Sequence, residues 1–169
     1  MKEPTASRPY WPDALQETPD ATRGLKPWAW ALTRLEKSHN YWIATSRPEG
    51  QPHLMLVWGV WLEGAFWFST GPRTRKMKNL SAHPECVIGT EDADEAVIVE
   101  GAASFIEDVD AIKRIVAVYN QKYGGDVGPI LESSGSLVIR VEPRVVFGFD
   151  EHAENFTEGA TRWTFDSES

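Results

Sequence analysis

The sequence predicts a mainly β protein of the α+β class, a small antiparallel barrel of six to eight short strands with two or three flanking helices. Short β-prone runs follow one another with tight turns between them, which is typical of strands linked as hairpins. Only a few segments carry a helical stripe of apolar residues. No G-x-G-x-x-G segment follows a strand, and strands do not alternate regularly with helices, so a Rossmann sheet fits poorly.

Length and composition indicate one globular domain. The chain has 169 residues, 41% of them apolar and 25% charged, which is enough for a core of its own. Its formal net charge of −8 argues against a nucleic-acid partner, because phosphate contact needs a broad basic face. There is no signal-peptide or membrane-length apolar run, so we expect a cytoplasmic protein with no membrane partner. Cys86 is the single cysteine, which leaves no disulfide framework and no thiolate metal site.

The first 27 residues carry five of the eleven prolines and little periodic pattern. This composition predicts an irregular arm at 1–27, followed by one domain at 28–169. Pro27 is expected to open a helix, since proline suits the first helical position. The apolar residues of this helix recur at helical spacing: Trp28, Ala31, Leu32 and Leu35.

Strands follow this helix. Tyr41–Thr45 is short and β-prone. His53–Trp61 is apolar on both faces, and we interpret it as one strand that is either central in a sandwich or part of a barrel with one side covered. Glu63-Gly64 predicts a two-residue hairpin turn into a strand at Ala65–Ser69.

The second half predicts more strands and one long helix. Gly101 lies inside the predicted strand Ala96–Ile106, which indicates a bulge or a close approach of another backbone. Asp108 is a candidate N-cap of the helix, and Gly124 is expected to end it. Pro143 is expected to divide two strands. The remaining predicted strands are Cys86–Thr90, Leu137–Val141, Val145–Phe149 and an edge strand at 160–165.

The stretch 66–80 is the strongest candidate for a binding site. A strand-like run ends in Ser69-Thr70, a Gly71-Pro72 break follows, and four cations then fall within six residues: Arg73, Arg75, Lys76 and Lys78. Met77 and Leu80 are spaced to seat a short helix on a core. Hydroxyl groups, free helical N–H groups and cations in one place suit a phosphate ester. A solvated basic turn explains the same residues equally well.

Three segments resemble the pyridoxamine 5′-phosphate oxidase-like superfamily: 52–80, Val97–Gly101 and the ending at 160–165. The most specific motif is Thr74-Arg75-Lys76, which stands shortly after the strand end. That superfamily has a split β-barrel fold and includes flavin-dependent and deazaflavin (F420)-dependent oxidoreductases. The resemblance therefore implies a split antiparallel β-barrel and a flavin-type cofactor.

The resemblance also implies a site at a subunit interface. The cofactor phosphate would be bound by Arg75 and Lys76, and the cofactor ring would lie beside the strand His53–Trp58. The flavin-binding oxidases usually carry an arginine at the start of that strand, where this chain has His53. The family is dimeric, with each cofactor in a groove between subunits, which implies a homodimer. The implied cofactor-binding residues are His53, Val57, Trp58, the hydroxyl residues Ser69, Thr70 and Thr74, the cations Arg75 and Lys76, and Asn79, Arg162 and Trp163.

The leading functional hypothesis is an oxidoreductase that moves a hydride between the cofactor and a small unsaturated organic substrate. In such enzymes the ring carries the reaction, which agrees with the lack of an acid–base pair or a Ser/His/Asp set; we assign no catalytic residue. F420 is favoured over FMN because the ending at 160–165 resembles that branch and because F420 has an acidic tail. The candidate cations for that tail are Arg73, Lys78, and Arg47 or Lys26.

Two other classes are open. One is a non-catalytic binder of flavin or haem, in which His53 would be the iron ligand, although a packed histidine is more common. The other is a structural dimer whose tryptophans form a core, with Trp163 as the tryptophan most readily placed at a pocket or interface. Pyridoxamine phosphate oxidation itself is disfavoured. The Arg-Leu-His-x-Arg type ending that holds the substrate phosphate in those oxidases is missing.

Overall fold

The computed structural model describes residues 3–10, 22–126, 128, 135–153 and 157–165. Within these ranges the chain forms three helices and nine strands. The helices are α1 (Trp28–Lys37), α2 (Arg75–Ala82) and α3 (Val109–Tyr123). The strands are β1 (Thr5–Ser7), β2 (Tyr41–Ser46), β3 (Pro52–Val57), β4 (Gly59–Leu62), β5 (Ala65–Thr70), β6 (Glu85–Thr90), β7 (Glu95–Ile106), β8 (Leu137–Asp150) and β9 (Ala160–Thr164).

The nine strands form one antiparallel sheet that branches. Its main order is β1-β9-β8-β7-β6-β2-β3, and β4 joins through β5, which pairs with β8. The long strand β8 makes the branch possible, because its first residues pair with β5 and its last residues pair with β9. β1 and β3 lie at the two ends of the main order, so the sheet does not close. This architecture confirms the predicted α+β split barrel.

The predicted single strand at 53–61 is two strands, β3 and β4. β3 pairs with β2, whereas β4 pairs with β5 on the other branch of the sheet. Both faces of β4 are covered, because Trp61 lies in the main core and Val60 lies in a second core under α3. The leucines of β3 are instead exposed, which agrees with the alternative of a barrel strand that is covered on one side.

The main core lies between α1 and the inner face of the sheet. Ala31 and Leu35 of α1 are fully buried there, as their helical spacing predicted. The second core joins α3 to the β4–β5 hairpin through Ile115, Tyr119 and Trp67. The hairpin is therefore packed on both sides, which fixes the strand that leads into α2.

Signals at turns and helix ends are confirmed. Glu63 and Gly64 have positive φ angles of 52° and 72° and join β4 to β5 as a two-residue turn. Asp108 caps α3 by accepting the amide N–H of Ala111 at 2.7 Å, and Gly124 ends the helix in the left-handed conformation with a φ of 68°. These features depend on residues adjacent in sequence, which is why the sequence predicts them.

Pro143 does not divide two strands. β8 runs past it unbroken, and the register between β7 and β8 shifts at Glu100 and Gly101 as a β-bulge. A Cβ at Gly101 would lie 2.3 Å from the carbonyl oxygen of Glu142, so the close approach requires glycine. The predicted bulge or close approach is confirmed, and its irregular pairing tolerates a residue without an amide N–H.

The N-terminal arm is not wholly irregular. Thr5–Ser7 forms β1, which pairs with β9. β9 confirms the predicted strand at 160–165, but β1 makes it an inner strand and not an edge. A three-residue strand is too short to show a periodic pattern. Residues 1–2 and 11–21 of the predicted arm lie outside the described ranges.

Candidate functional site

Two threonine hydroxyl groups hold the turn between β5 and α2. Thr74 caps α2, because its Oγ1 accepts the amide N–H of Met77 at 3.3 Å. The same hydroxyl donates to the carbonyl oxygen of Gly71 at 3.0 Å and lies 2.9 Å from the hydroxyl of Thr70. Thr70 is 5% exposed. The N-terminus of α2 is therefore fixed to the buried end of β5.

The apolar side of α2 is fixed to the main core. Leu80 is 2% exposed and Met77 packs against the core, which confirms the predicted seating of the helix. Asn79 is fully buried, and its Nδ2 donates to Oγ1 of Thr45 on β2 at 2.9 Å. Its Oδ1 is buried and has no hydrogen-bond partner within the described part of the chain. α2 is thus tied to both β5 and β2, which gives its first turn a defined position.

Four cations lie in or beside the first turn of α2. Arg73, Arg75 and Lys78 are exposed, and Lys76 is half-buried; burial lowers the pKa of Lys76 from its usual value. In the ranges that the structure describes, none of the four forms an ion pair, whereas eight other cations do. Those pairs are Arg23–Glu158, Lys26–Asp150, Arg34–Glu95, Arg47–Glu49, Lys113–Asp110, Arg114–Glu63, Arg140–Glu142 and Arg144–Glu85.

β3 and the bend after it contribute three of the predicted residues in different environments. His53 is half-buried opposite Thr45, and its Nδ1 is buried with no hydrogen-bond partner among the described residues. Val57 is only 7% exposed and lies in the main core. Trp58 follows the strand and is 51% exposed. His53 and Trp58 can therefore offer side chains to a ligand, whereas Val57 can offer only its backbone.

Strand pairing brings the bend after β3 close to β5. Gly59 pairs with Phe68 across the β4–β5 hairpin. The Tyr119 hydroxyl, which donates to the carbonyl oxygen of Trp58 at 2.7 Å, also lies 3.4 Å from the carbonyl oxygen of Trp67 on β5. The backbone of Trp58 therefore lies near the end of β5 that leads into the turn.

Arg162 and Trp163 face opposite sides of the sheet, because successive residues of a strand alternate. Trp163 is fully buried, with its ring 5.6 Å from that of Trp28 and 6.5 Å from that of Trp30. A Cβ at Gly148 would lie 2.7 Å from the Trp163 ring, so the indole packs directly on that backbone. The prediction of Trp163 at a pocket or interface is therefore wrong, since its side chain lies in the core of a single chain. Arg162 is half-buried on the outer face of the sheet.

The outer face of the sheet carries two mostly apolar rows that cross six strands. The β3 end is the most exposed, with Trp42 at 41%, Leu54 at 56% and Leu56 at 49%. A groove of about 430 Å³ lies on this face. The sequence signal for this exposed face is the presence of apolar residues at both odd and even positions of β2 and β3. The rows are Leu56, Trp42, Gly89, Ile98, Phe147 and Arg162, and Leu54, Ala44, Val87, Glu100, Val145 and Thr164.

The last turns of α3 bring polar side chains to the bend between β3 and β4, which sequence reasoning missed. Lys122 Nζ donates to the hydroxyl of Tyr41 at 2.6 Å and to the carbonyl oxygen of Gly59 at 3.0 Å. Burial lowers the pKa of Lys122 to about 8 and raises the pKa of Tyr123 to about 12. A tyrosine-rich helix end gives no sequence signal of what it binds.

Other chemistries find little support in the described residues. Cys86 is buried, and burial raises the pKa of its thiol to about 12, so it is a poor nucleophile. Within the described ranges there is no cluster of three or more His, Cys, Asp or Glu side chains that could hold a metal ion. In the same ranges, each helix is too short or too polar to cross a membrane.

The fold defines a split-barrel protein, and the basic turn at α2 is its candidate phosphate site. Residues 31–150 match the family model described as pyridoxamine 5′-phosphate oxidase. The match covers more than half of the chain, and the protein belongs to this family, whose fold is of the flavin-binding type. A search of curated proteins gives no match.

Solved structures share the fold at low sequence identity. An F420 reductase is similar with a TM-score of 0.57 and 23% identity, over 68% of this chain and 93% of that chain. A conserved hypothetical protein from Mycobacterium tuberculosis has a TM-score of 0.69 and 24% identity, over 80% and 91%. HutZ, a heme storage protein from Vibrio cholerae, has a TM-score of 0.58 and 18% identity, over 74% and 95%. At these identities the likeness establishes the fold alone.

Proposed function

We propose that this protein is an oxidoreductase that binds a phosphorylated flavin-type cofactor, F420 in preference to FMN, and exchanges a hydride with a small unsaturated organic substrate. Membership of the pyridoxamine 5′-phosphate oxidase family supports the flavin-type fold. The solved structures that share this fold include an F420 reductase. Neither comparison identifies the ligand, so the argument depends on the residues of this chain.

The observation that carries the proposal is the unbalanced charge at α2. The chain has 25 acidic and 17 basic residues, so acidic partners are abundant, and eight cations of the described ranges have one. The four cations at α2 have none there. Like charges this close repel one another by about 1 kcal/mol per pair or less at an exposed surface. A bound anion at the same helix N-terminus would remove this cost.

The position of each residue at the α2 turn indicates its role in binding the cofactor. Arg75 and Lys76 would hold the phosphate, with the capped first turn of α2 presenting its N–H groups beside them. When bound, the cofactor ring supplies the hydride acceptor or donor. The chain binds and orients the ring and excludes water from it. Thr70 and Thr74 act indirectly, because their hydroxyl groups are used to fix the turn.

Further cations favour F420 over FMN. Arg73 and Lys78 are exposed beyond the two cations assigned to the phosphate, and an acidic tail gives them a partner. Lys26 does not belong to this set, because its Nζ is bound to Asp150 at 2.5 Å. Arg47 is held only loosely by Glu49, at 3.9 Å.

We further propose that the cofactor lies at the interface of a homodimer. Five of the eight large apolar side chains that are exposed in the described chain cluster at β2, β3 and the bend after β3: Trp42, Leu54, Met55, Leu56 and Trp58. β3 is also a free sheet edge, and an apolar edge of this kind invites association unless it is covered. A second copy would cover it and enclose the α2 turn.

The decisive experiment compares two double variants. Arg75→Ala with Lys76→Ala removes two charge-assisted contacts of roughly 1.5–3 kcal/mol each, so affinity for F420 and FMN should fall at least about a hundredfold. Lys113→Ala with Arg114→Ala removes the same charge from ion-paired residues of α3 and should leave affinity unchanged. Fluorescence titration measures both affinities. Equal affinity in the α2 variant and wild type, with folding preserved, would remove the proposed site.

The dimer has a separate test. Leu56→Glu places a charge on the exposed β3 end of the outer face and should convert the protein to a monomer in sedimentation experiments. Because the proposed cofactor site needs both subunits, cofactor affinity should fall when the dimer is lost. A wild-type protein that is monomeric at all concentrations contradicts the interface.

Haem binding is the second candidate, and one observation favours it. His53 has a buried Nδ1 without a partner among the described residues, and a haem storage protein shares the fold. Haem titration should then give a Soret band that His53→Ala abolishes. A Soret band that persists in that variant, or none in wild type, excludes His53 as an iron ligand.

A further inference from the structure

The end of α3 clamps the bend between β3 and β4. The Tyr119 hydroxyl donates to the carbonyl oxygen of Trp58 at 2.7 Å. The Tyr123 hydroxyl accepts the amide N–H of Gly59 at 2.9 Å, and its own proton can go to the carbonyl oxygen of Gly59 at 2.9 Å or of His39 at 2.8 Å. The carbonyl oxygen of Trp58 and both backbone polar groups of Gly59 are thus hydrogen-bonded by this helix. The backbone of Trp58 is therefore held in one place.

The Tyr123 ring also fixes the side chain of Trp58. The two rings stack with centroids 4.5 Å apart and planes 7° from parallel. His39 contacts both rings edge-on, at 5.9 Å from Trp58 and 5.1 Å from Tyr123. Tyr123 covers one face of the indole, yet the Trp58 side chain is still 51% exposed. The exposed area therefore lies on the opposite face and the ring edges.

The backbone of Trp58 lies near the strand that leads into the phosphate-suited turn. The Tyr119 hydroxyl, which donates to the carbonyl oxygen of Trp58 at 2.7 Å, also lies 3.4 Å from the carbonyl oxygen of Trp67 on β5. β5 ends three residues later at Thr70, whose hydroxyl lies 2.9 Å from that of the N-cap Thr74. Trp58 leaves about half of its surface exposed, whereas Trp163 is fully buried in the core.

We propose that Trp58 is the stacking face for the planar ring of the cofactor and that Tyr123 is the positioning residue that holds it there. The inference rests on the proposed function and adds the device that orients the ring. A preorganised aromatic face binds a planar ring without the entropic cost of ordering a mobile side chain. The interaction is insensitive to ring chemistry, so it should serve FMN and F420 alike.

The first test separates ring binding from phosphate binding. Trp58→Leu should weaken FMN and F420 roughly tenfold while leaving the affinity for ribitol 5-phosphate, which lacks the ring, unchanged. Arg75→Ala with Lys76→Ala should weaken all three ligands. Trp58→Phe keeps an aromatic face and should recover most of the loss.

The second test addresses Tyr123. Tyr123→Phe keeps the stacked ring and should bind FMN within about threefold of wild type, whereas Tyr123→Leu should approach the loss of Trp58→Leu. Incorporation of 5-fluorotryptophan supplies a readout that general stability does not move. The ¹⁹F resonance of Trp58, identified by its absence in Trp58→Phe, should shift when FMN binds to wild type and broaden or split in Tyr123→Leu.

Each outcome decides one point. If wild type binds neither FMN nor F420, the proposed function fails and the stacking inference fails with it. If wild type binds and Trp58→Leu binds equally well, the stacking inference alone is wrong. If Trp58→Leu loses affinity but Tyr123→Leu does not, Tyr123 is not the positioning residue. Should Tyr123→Leu fail to fold, an unshifted Trp58 resonance on FMN binding to wild type still overturns the proposal.

Discussion

Removing the Thr74 hydroxyl tests how the α2 turn is held. Thr74→Val keeps the shape of the side chain and removes one oxygen, which accepts the Met77 amide and contacts Thr70 and Gly71. The first turn of α2 then loses its cap, and the hydroxyl of Thr70, a residue that is 5% exposed, loses its neighbour. The carbonyl oxygen of Gly71 keeps the amide N–H of Thr74 as a donor at 3.1 Å. Thr74→Ser is the matched control, since it keeps the hydroxyl and loses only a methyl group.

The expected cost follows from those contacts. Loss of a threonine cap costs about 1 kcal/mol, and a buried hydroxyl left without a partner costs about 1 kcal/mol or more. We expect a total near 2 kcal/mol, which for a domain of this size corresponds to a fall of roughly 4–8 °C in melting temperature. Thr74→Ser should stay within about 0.5 kcal/mol of wild type.

Urea unfolding followed by circular dichroism measures both variants. The slope of the transition should be unchanged, because the substitution alters stability and not the surface exposed on unfolding. The valine variant should also bind cofactor less tightly, since its α2 N-terminus is no longer fixed to β5. If Thr74→Val unfolds at the same urea concentration as Thr74→Ser, the hydroxyl does not hold the turn and the reasoning fails.

Two further substitutions probe the bend and its clamp. Gly59→Ala should cost roughly 3 kcal/mol, because its Cβ would lie 2.1 Å from Cζ of the fully buried Phe66; Gly125→Ala, with no atom within 4 Å, is the control that should be neutral. Lys122→Met tests a pH dependence: the pKa of Lys122 is about 8 in the folded protein against 10.5 normally, so the folded state releases this proton first. Wild-type stability should then rise relative to Lys122→Met between about pH 8 and 10.5. If the difference in melting temperature between wild type and Lys122→Met is the same at every pH in that range, the burial of Lys122 is contradicted.

Features governed by neighbours in sequence were predictable. The turn at Glu63 and Gly64, the cap at Asp108 and the helix end at Gly124 each depend on the conformational preference of one or two residues. Gly101 was predictable for a similar reason, since glycine inside a strand has few causes.

Features governed by distant partners were not predictable. The apolar run His53–Trp61 forms two strands that bend at Trp58, because α3, more than 60 residues later in the chain, binds the backbone of Trp58 and Gly59. Trp163 lies in the core because Trp28 and Trp30 close over it from the first helix. Neither of these helix contacts can be recognised from the pattern of apolar and polar residues in the strand that it contacts.

The same division applies to the candidate site. The sequence placed hydroxyl groups and cations together at 69–78 but explained them equally well as a solvated turn. What distinguishes the two is the distribution of carboxylates in space: eight other cations found partners, several of them distant in sequence, such as Arg34 with Glu95 and Arg144 with Glu85. That distribution is a property of the fold.

The proposals meet at β3. Strand alternation turns Leu54 and Leu56 toward the outer face, while His53 faces the side where Thr45 binds Asn79 of α2. In the proposed dimer, the partner subunit would pack on the outer face of β3 and reach the cofactor around the free edge of that strand, while α2 holds the cofactor from the inner side. It follows that a substitution at Leu56 should act on the cofactor only through assembly. The affinity lost in Leu56→Glu should therefore return as protein concentration rises and dimers reform, whereas the affinity lost in Lys76→Ala should not.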